Sequence, residues 1–316
     1  MTAAGSGTVV VAIGGNSIID PASRRGNIDT HDLAREVCEE VATMARVFGS
    51  VVVTHGNGPQ VGFELIRNEL ASTAVPPDGM DVNVAATQGY IGYLLQQVLG
   101  DVLEERGEDI PVSSLVTQVE VSPDDPGFRN PTKPVGPFYS ADEAVKLREE
   151  RGWVMREDAG RGFRRVVPSP RPLKILELPS IKSLVAAGQI VICAGGGGVP
   201  VIRDGKRFEG IAAVIDKDLA SSLLASGLGA GTFVISTGVP RVCLNFGKPD
   251  QIELDSITAD DLRRHVAEGH FAAGSMLPKI LASLEFIERG GRRVIITSPG
   301  NIMASLDGRA GTTITG

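Results

Sequence analysis

Five short apolar runs, each ending at a small-residue turn, restrict what this chain can fold into more than any other feature. They are TVVVAI before Gly14-Gly15-Asn16, SVVVTH before Gly56-Asn57-Gly58-Pro59, QIVICA before Gly195-Gly196-Gly197-Gly198, TFVIST before Gly238, and RRVIIT before Ser298-Pro299-Gly300. Runs rich in β-branched residues and without polar alternation suit strands buried on both faces. Helical patterns lie between several of them, such as THDLAREVCEEVATMARVF, with Asp29 or Thr30 as the expected N-cap. Strand alternating with helix predicts βαβ units and an α/β fold with a parallel sheet. Ligands of such sheets bind beyond the carboxyl ends of the strands, and every one of these turns falls at that edge. Hydrophobic residues make up 42% of the chain but aromatics only 4%, so the core has to be built from Val, Ile, Leu and Ala. A length of 316 residues allows two domains, but α/β chains of this size often fold around one sheet.

One stretch breaks the rhythm. From about Ser122 to Pro172 the chain is rich in Pro, Gly and Arg, with a short helical piece inside it. It is too long for a plain connection and reads as a small lobe or lid inserted at 122–172. Phe128, Phe138, Tyr139, Trp153 and Phe163 are expected to anchor it, against the alternative of a disordered insert. The three cysteines, Cys38, Cys193 and Cys243, are far apart and show no metal or disulfide spacing, which predicts a reduced, cytoplasmic setting. The N-terminal apolar run passes at once into glycine and reads as a first strand rather than a signal peptide. No run is long and apolar enough to predict a membrane span.

The net charge of -7 argues against nucleic acid as a partner and requires a polyanionic ligand to be met by locally clustered cations. THGNGPQVG misses the dinucleotide fingerprint by one residue, and no Walker P-loop occurs. Several glycine turns at one sheet edge nonetheless favour a phosphate-bearing ligand, because glycine lets backbone N–H groups approach phosphate oxygens. Lys133 in NPTKP, Lys217 in GIAAVIDKDLAS and Lys279 in GSMLPK supply candidate positive charge. Singly each reads as a surface lysine; with the glycine turns they read as a phosphoryl clamp. Asp216-Lys217-Asp218 is either a solvated turn with an internal ion pair or a charge cluster kept for catalysis. Of the four histidines only His55 adjoins a glycine turn, and it is expected to orient that turn rather than move protons.

Ten segments resemble, in order, the motifs of carbamate kinases in the amino acid kinase superfamily. They are VVVAIGGNSI, VVVTHGNGPQVG, TQGYIGY, NPTKPVGPF, EDAGRGFRRVVPSP, CAGGGGVPVI, AVIDKDLAS, CLNFGKPD, HFAAGSMLPKI and IITS. The resemblance implies a three-layer αβα sandwich around a mostly parallel sheet, with a small protruding subdomain, in a single domain spanning 1–316. It implies a homodimer, a place in arginine metabolism, and reversible phosphoryl transfer between ATP and carbamate with Mg2+, giving ADP and carbamoyl phosphate. Gly14, Gly15 and Asn16 would then form part of the acceptor and γ-phosphate cradle, with Gly56, Asn57 and Gly58 facing them. Lys217 would stabilise the phosphoryl group in flight, with Asp216 and Asp218 orienting the lysines and Asp218 helping to place the metal. Lys133 would reach in from the subdomain, and Lys279 would bind the nucleotide phosphates. Gly238, Phe246, Gly247, Lys248, Pro249 and Met276 would lie on the nucleotide side.

Three segments depart from the family pattern. Ala212 replaces a glutamate in the segment before D-K-D, Pro240 stands at an acidic position, and Pro299-Gly300 replaces Leu-Glu. These leave open a kinase of the same fold with another small carboxylate or carbamate-like acceptor, and a non-catalytic nucleotide binder. A nicotinamide dehydrogenase is the most distant alternative.

Overall fold

The computed structural model describes residues 7–15, 18, 27–157, 162–272 and 274–316. The chain opens with β1 (Gly7–Ile13), α1 (Asn27–Phe48), β2 (Gly49–His55), α2 (Gly58–Ala71), α3 (Met80–Glu105) and β3 (Val112–Leu115). Its middle carries β4 (Gln118–Val121), β5 (Lys133–Tyr139), α4 (Ala141–Arg151), β6 (Met155–Glu157), β7 (Phe163–Val167), β8 (Pro172–Ile175), α5 (Leu178–Ala186), β9 (Ile190–Cys193), β10 (Val199–Asp204) and β11 (Arg207–Gly210). Then follow α6 (Lys217–Gly227), β12 (Thr232–Ser236), β13 (Val242–Leu244), β14 (Ile252–Leu254), β15 (Ser256–Thr258), α7 (Ala259–Ala267), α8 (Met276–Glu288), β16 (Arg293–Thr297), α9 (Ile302–Leu306) and β17 (Thr312–Thr315).

The main sheet has eight strands in the order β15-β17-β16-β12-β1-β2-β9-β3. The five strands expected from sequence are its five consecutive central members, β16-β12-β1-β2-β9, and all four pairings among them are parallel. Only β16 and β17 pair antiparallel within this sheet. Alternation along each strand feeds two cores. Val10, Ala12, Val52, Val191, Phe233, Ile235 and Val294 face one layer, packed with Leu224 of α6, Leu262 of α7 and Ile280 and Phe286 of α8. Val9, Val11, Ile13, Val51, Val53, Ile192, Val234 and Ile295 face the other, packed with Val37 and Val41 of α1 and Ile91, Leu95 and Leu99 of α3. The chain is thus a mixed α/β sandwich of three layers, built on the aliphatic core that its composition required.

Helix α1 begins at Asn27, ahead of the expected cap. No Gly or Pro stands between Asn27 and Thr30 to stop the helix, so Asp29 and Thr30 lie within it.

Within the irregular stretch, β5, β7 and β6 form a three-stranded antiparallel sheet. Helix α4 is closed by a capping box of Ser140 and Glu143 and by Gly152 at φ 64. Val135 and Val167 pack on Met80 and Val214, joining this sheet to the body. The aromatic residues are held as much by guanidinium groups as by one another. Tyr139 meets Trp153 edge-on at 6.5 Å, and Arg165 lies 4.5 Å over the Trp153 ring.

Phe286 and Phe233 are fully buried and pack at 5.6 Å between ring centroids. Phe286→Ala is expected to destabilise the fold by about 3–5 kcal/mol, since the rigid sheet opposite cannot collapse into the void. Urea unfolding checks this, and a loss under about 1 kcal/mol would contradict the packing described.

Candidate active site

The C-terminal ends of the five central strands open on one cavity of about 680 Å3. Each end contributes to its lining: Gly14 and Gly15 after β1, Gly56 and Asn57 after β2, Gly196 after β9, Ser236 and Thr237 at β12, and Pro299 after β16. The first two turns touch through backbone alone. A Cβ on Gly56 would stand 2.8 Å from the Gly15 nitrogen, so any side chain there would push the turns apart. The Gly56 N–H donates to the Ile13 carbonyl at 2.9 Å and fixes the pair. Across from them Gly196, at φ 65, sits against the Asn57 amide, where a Cβ would fall 2.1 Å from Nδ2. That amide donates to Thr87 Oγ1 at 2.9 Å, which ties the β2 turn to α3.

Three helix N-termini also face this space, since residues 56–59 lead into α2, 216–218 into α6 and 274–279 into α8. Their dipoles put partial positive charge at the cavity wall.

The lysine cluster is built on the start of α6. Asp216 is its N-cap: Oδ1 accepts the N–H groups of Asp218 at 2.9 Å and Leu219 at 3.4 Å. Its second oxygen accepts from Lys133 Nζ at 2.8 Å. Asp218 Oδ1 accepts from Lys217 at 2.5 Å and Oδ2 from Lys279 of α8 at 2.9 Å. Three ammonium groups therefore share two carboxylates at the cavity wall. The Asp218 side chain is 3% exposed and those of Lys217 and Lys279 15% each, so the D-K-D segment is no solvated turn.

Burial alone would raise the Asp218 pKa, but the Lys217 and Lys279 ammonium groups outweigh it and hold the carboxyl well below the usual carboxylate range. Burial, reinforced by Lys279, lowers the Lys217 pKa against the pull of Asp218. His55 is 1% exposed, with Nδ1 donating to the Gly56 carbonyl at 3.2 Å. Burial first, and then Lys217, bring its pKa down to about 4 despite that hydrogen bond, so the ring is neutral at pH 7.

The structure brings Gly14, Gly15, Gly56, Asn57, Gly58, Lys133, Asp216, Lys217, Asp218, Gly238 and Lys279 to this one cavity. Asn16 lies outside the described residues. Phe246 and Met276 line a second cavity of about 260 Å3, which shares Thr237, Gly238, Ser275 and Lys279 with the first. Lys248 and Pro249 are in neither lining. The turn that carries them is set by Asn245 at φ 50 and Gly247 at φ 77, and it leaves both exposed. Sequence reasoning missed Glu36 of α1, Ser236 and Ser275 in the first cavity and Arg241 and His270 in the second. Ser236 had one available signal, a hydroxyl at the end of an otherwise apolar strand. Its Oγ is buried with no hydrogen-bond partner among the described residues. Of the departures, only Pro299 reaches a cavity; Ala212 and Pro240 are exposed and outside both linings.

The family model described as the amino acid kinase family matches residues 7–298. Carbamate kinase of Thermococcus kodakarensis is 46% identical over 97% of this chain and 98% of its own. The carbamate kinase-like protein YahI of Escherichia coli is 48% identical over 97% of this chain and 98% of its own. Among solved structures, carbamate kinase from Giardia lamblia bound to AMP-PNP superposes with a TM-score of 0.90 at 42% identity, covering 99% of both chains.

Because the His55 pKa is lowered in the folded state, the unfolded chain takes up a proton first on acidification. Stability is then complete above the unfolded value of 6.5 and falls as the pH drops toward about 4. Between pH 7 and about pH 4.5 this group alone is expected to cost roughly 2–3 kcal/mol. Urea midpoints of the wild type and His55→Gln at both pH values give the test, since the variant should lack that increment; equal pH dependence would refute it.

Proposed function

The chain belongs to the amino acid kinase family, and from that membership together with its three-lysine cavity we propose that it is a carbamate kinase, interconverting ATP and carbamate with ADP and carbamoyl phosphate. The observation that carries this reading is the convergence of Lys133, Lys217 and Lys279 on two carboxylates, beside glycine turns and helix N-termini. Full-length similarity to several carbamate kinases supports it.

A carbamate oxygen bonds to the γ-phosphorus as the bond to the bridging oxygen of ADP breaks. Carbamate is already an anion, so no proton has to be removed and no general base is required. The work is positioning and charge neutralisation. The turns at Gly14-Gly15 and Gly56-Asn57-Gly58, with Asn16, hold the acceptor and the γ-phosphate. Lys217 meets the phosphoryl group in flight. Lys279 holds the nucleotide phosphates, and Lys133 enters from segment 122–172, which acts as a lid. Asp216 and Asp218 keep the three ammonium groups charged and aimed. The adenine occupies the second cavity, between Phe246 and Met276 with Gly238 at the junction. Lys248 and Pro249 stand on its outer turn.

The donor set also bears on Mg2+. Both oxygens of Asp216 and of Asp218 already accept hydrogen bonds, so these residues are no all-protein cage. They fit an ion held mainly by nucleotide phosphates, with Asp218 as its protein neighbour. Bound there, the ion would neutralise charge on the phosphate oxygens.

We read the enzyme as cytoplasmic and homodimeric. Three buried free cysteines suit a reducing compartment, and no described helix is long and apolar enough to cross a membrane. Val82, Tyr90 and Tyr93 form an exposed apolar stripe on α3 suited to a second copy. A second reading, a closely similar acceptor, is favoured by Pro299 in the cavity wall and by the likeness to YahI.

ATP formation from ADP and carbamoyl phosphate, alongside a panel of small acids with ATP, tests both readings. Carbamoyl phosphate should give turnover, and activity confined to another acid would replace carbamate with it. Lys217→Ala should lower kcat by at least about a thousandfold, roughly 4 kcal/mol of transition-state stabilisation. Near-normal rates in a folded variant would remove that residue from the reaction. Lys133→Ala should lower kcat about a hundredfold in a variant that still folds. Unaltered kinetics would make segment 122–172 a bystander.

A further inference from the structure

A second constellation lies at the end of α7, outside the set of lysines and carboxylates described above. The helix closes in a left-handed turn with Gly269 at φ 78. The Gly269 N–H donates to the Val266 carbonyl at 3.1 Å and the His270 N–H to the His265 carbonyl at 3.2 Å. This closure sets three side chains side by side: His265 on the last turn, Glu268 at the cap and His270 beyond it. One ligand atom from each lies within 4.8 Å of the others. His265 Nδ1 is 3.0 Å and His270 Nε2 3.2 Å from the same oxygen, Glu268 Oε2.

The hydrogen bonds around His270 decide what stands between it and Glu268. Asn245 donates from Nδ2 to Asp250 at 2.6 Å, which turns its carbonyl oxygen toward His270 Nδ1 at 2.9 Å. That oxygen only accepts, so Nδ1 carries the proton. In a neutral ring Nε2 is then a lone pair facing an anionic oxygen, and two acceptors meet with no hydrogen between them. A cation removes the conflict. Imidazole nitrogen held in one tautomer by a carbonyl behind it is the usual arrangement of a metal-ligating histidine.

We propose that His265, Glu268 and His270 bind a divalent transition-metal ion, Zn2+ by the chemistry of the donors. Two imidazoles and a carboxylate match zinc, and ligand atoms around a tetrahedral zinc stand about 3.3 Å apart, near the two separations seen here. The His265 and His270 side chains are 27% and 20% exposed, which leaves the fourth position to solvent. His270 also lines the second cavity, and Asn245 immediately precedes Phe246 in its wall. The ion would therefore tie the end of α7 to that wall, whatever the cavity binds.

Calorimetric titration of the tag-free, metal-stripped full chain with Zn2+ near pH 7.5, with Co2+ absorption spectra in parallel, tests the site. One ion per chain is expected, with a low-coordinate Co2+ spectrum and with protons released on binding. His270→Ala and Glu268→Gln should each weaken Zn2+ binding by about a hundredfold or more, and Asn245→Ala by about tenfold. Failure of the wild type to take up micromolar Zn2+ would overturn the proposal. Uptake undiminished in a His265→Ala/His270→Ala double variant would overturn it equally.

Discussion

The rest of the structure depends on a buried carboxylate, Asp218, held between two ammonium groups. An ion of this kind cannot be buried cheaply, and removing one partner would strand the others. The cluster therefore forces several distant parts of the chain to arrive together. Lys279 has to come from α8, Lys133 from β5, and the N-cap of α6 has to present Asp216 with one oxygen free. Asp216 serves both needs at once, with one oxygen on backbone N–H groups and the other on Lys133. The cost of the arrangement makes sense if the charge is kept for a polyanionic ligand rather than for stability.

The parallel sheet makes that convergence possible. Parallel strands put all their carboxyl ends on one edge, so the turns after β1, β2, β9, β12 and β16 share a single cavity. Helix N-termini fall on the same edge by different routes: α2 follows β2 through a short turn, while α6 arrives from β11 and α8 from α7. Glycine at 15 and 56 then lets two of these turns approach at backbone distance. Sheet polarity, helix polarity and glycine thus act in one direction, each adding positive potential at the same place.

The five central strands were legible because strands buried on both faces carry uninterrupted β-branched runs. The outer strands were not: β3 (VSSL) is only half buried, and β15 and β17 are short and mostly threonine and serine, with no apolar run to betray them. The lysines were legible through their context, proline beside Lys133 and carboxylates beside Lys217, although nothing local says that they meet. Phe246 and Met276 reach the second cavity, while Lys248 and Pro249 do not, because the positive φ of Gly247 turns the chain outward after Phe246. Glu36 was invisible for another reason. It sits on the exposed side of α1, and only the packing of α1 on the sheet face brings it to the cavity.

The same geometry bears on the acceptor. Missing carboxylates at Ala212 and Pro240 look like altered chemistry when read along the chain, yet both positions are exposed and outside either lining. Pro299 is different, because it forms part of the wall facing Glu36. The next residue, Gly300, has φ 75, and its N–H is held by Glu40, whose other oxygen accepts the N–H of Ile302 at the start of α9. Two glutamates of α1 thus stand against the turn after β16, one open to the cavity and one occupied in capping a helix. A chain that had changed its acceptor would carry the change where wall and cavity meet. On this molecule that place is the Pro299 turn and its α1 partner, and the two exposed substitutions weigh little against it.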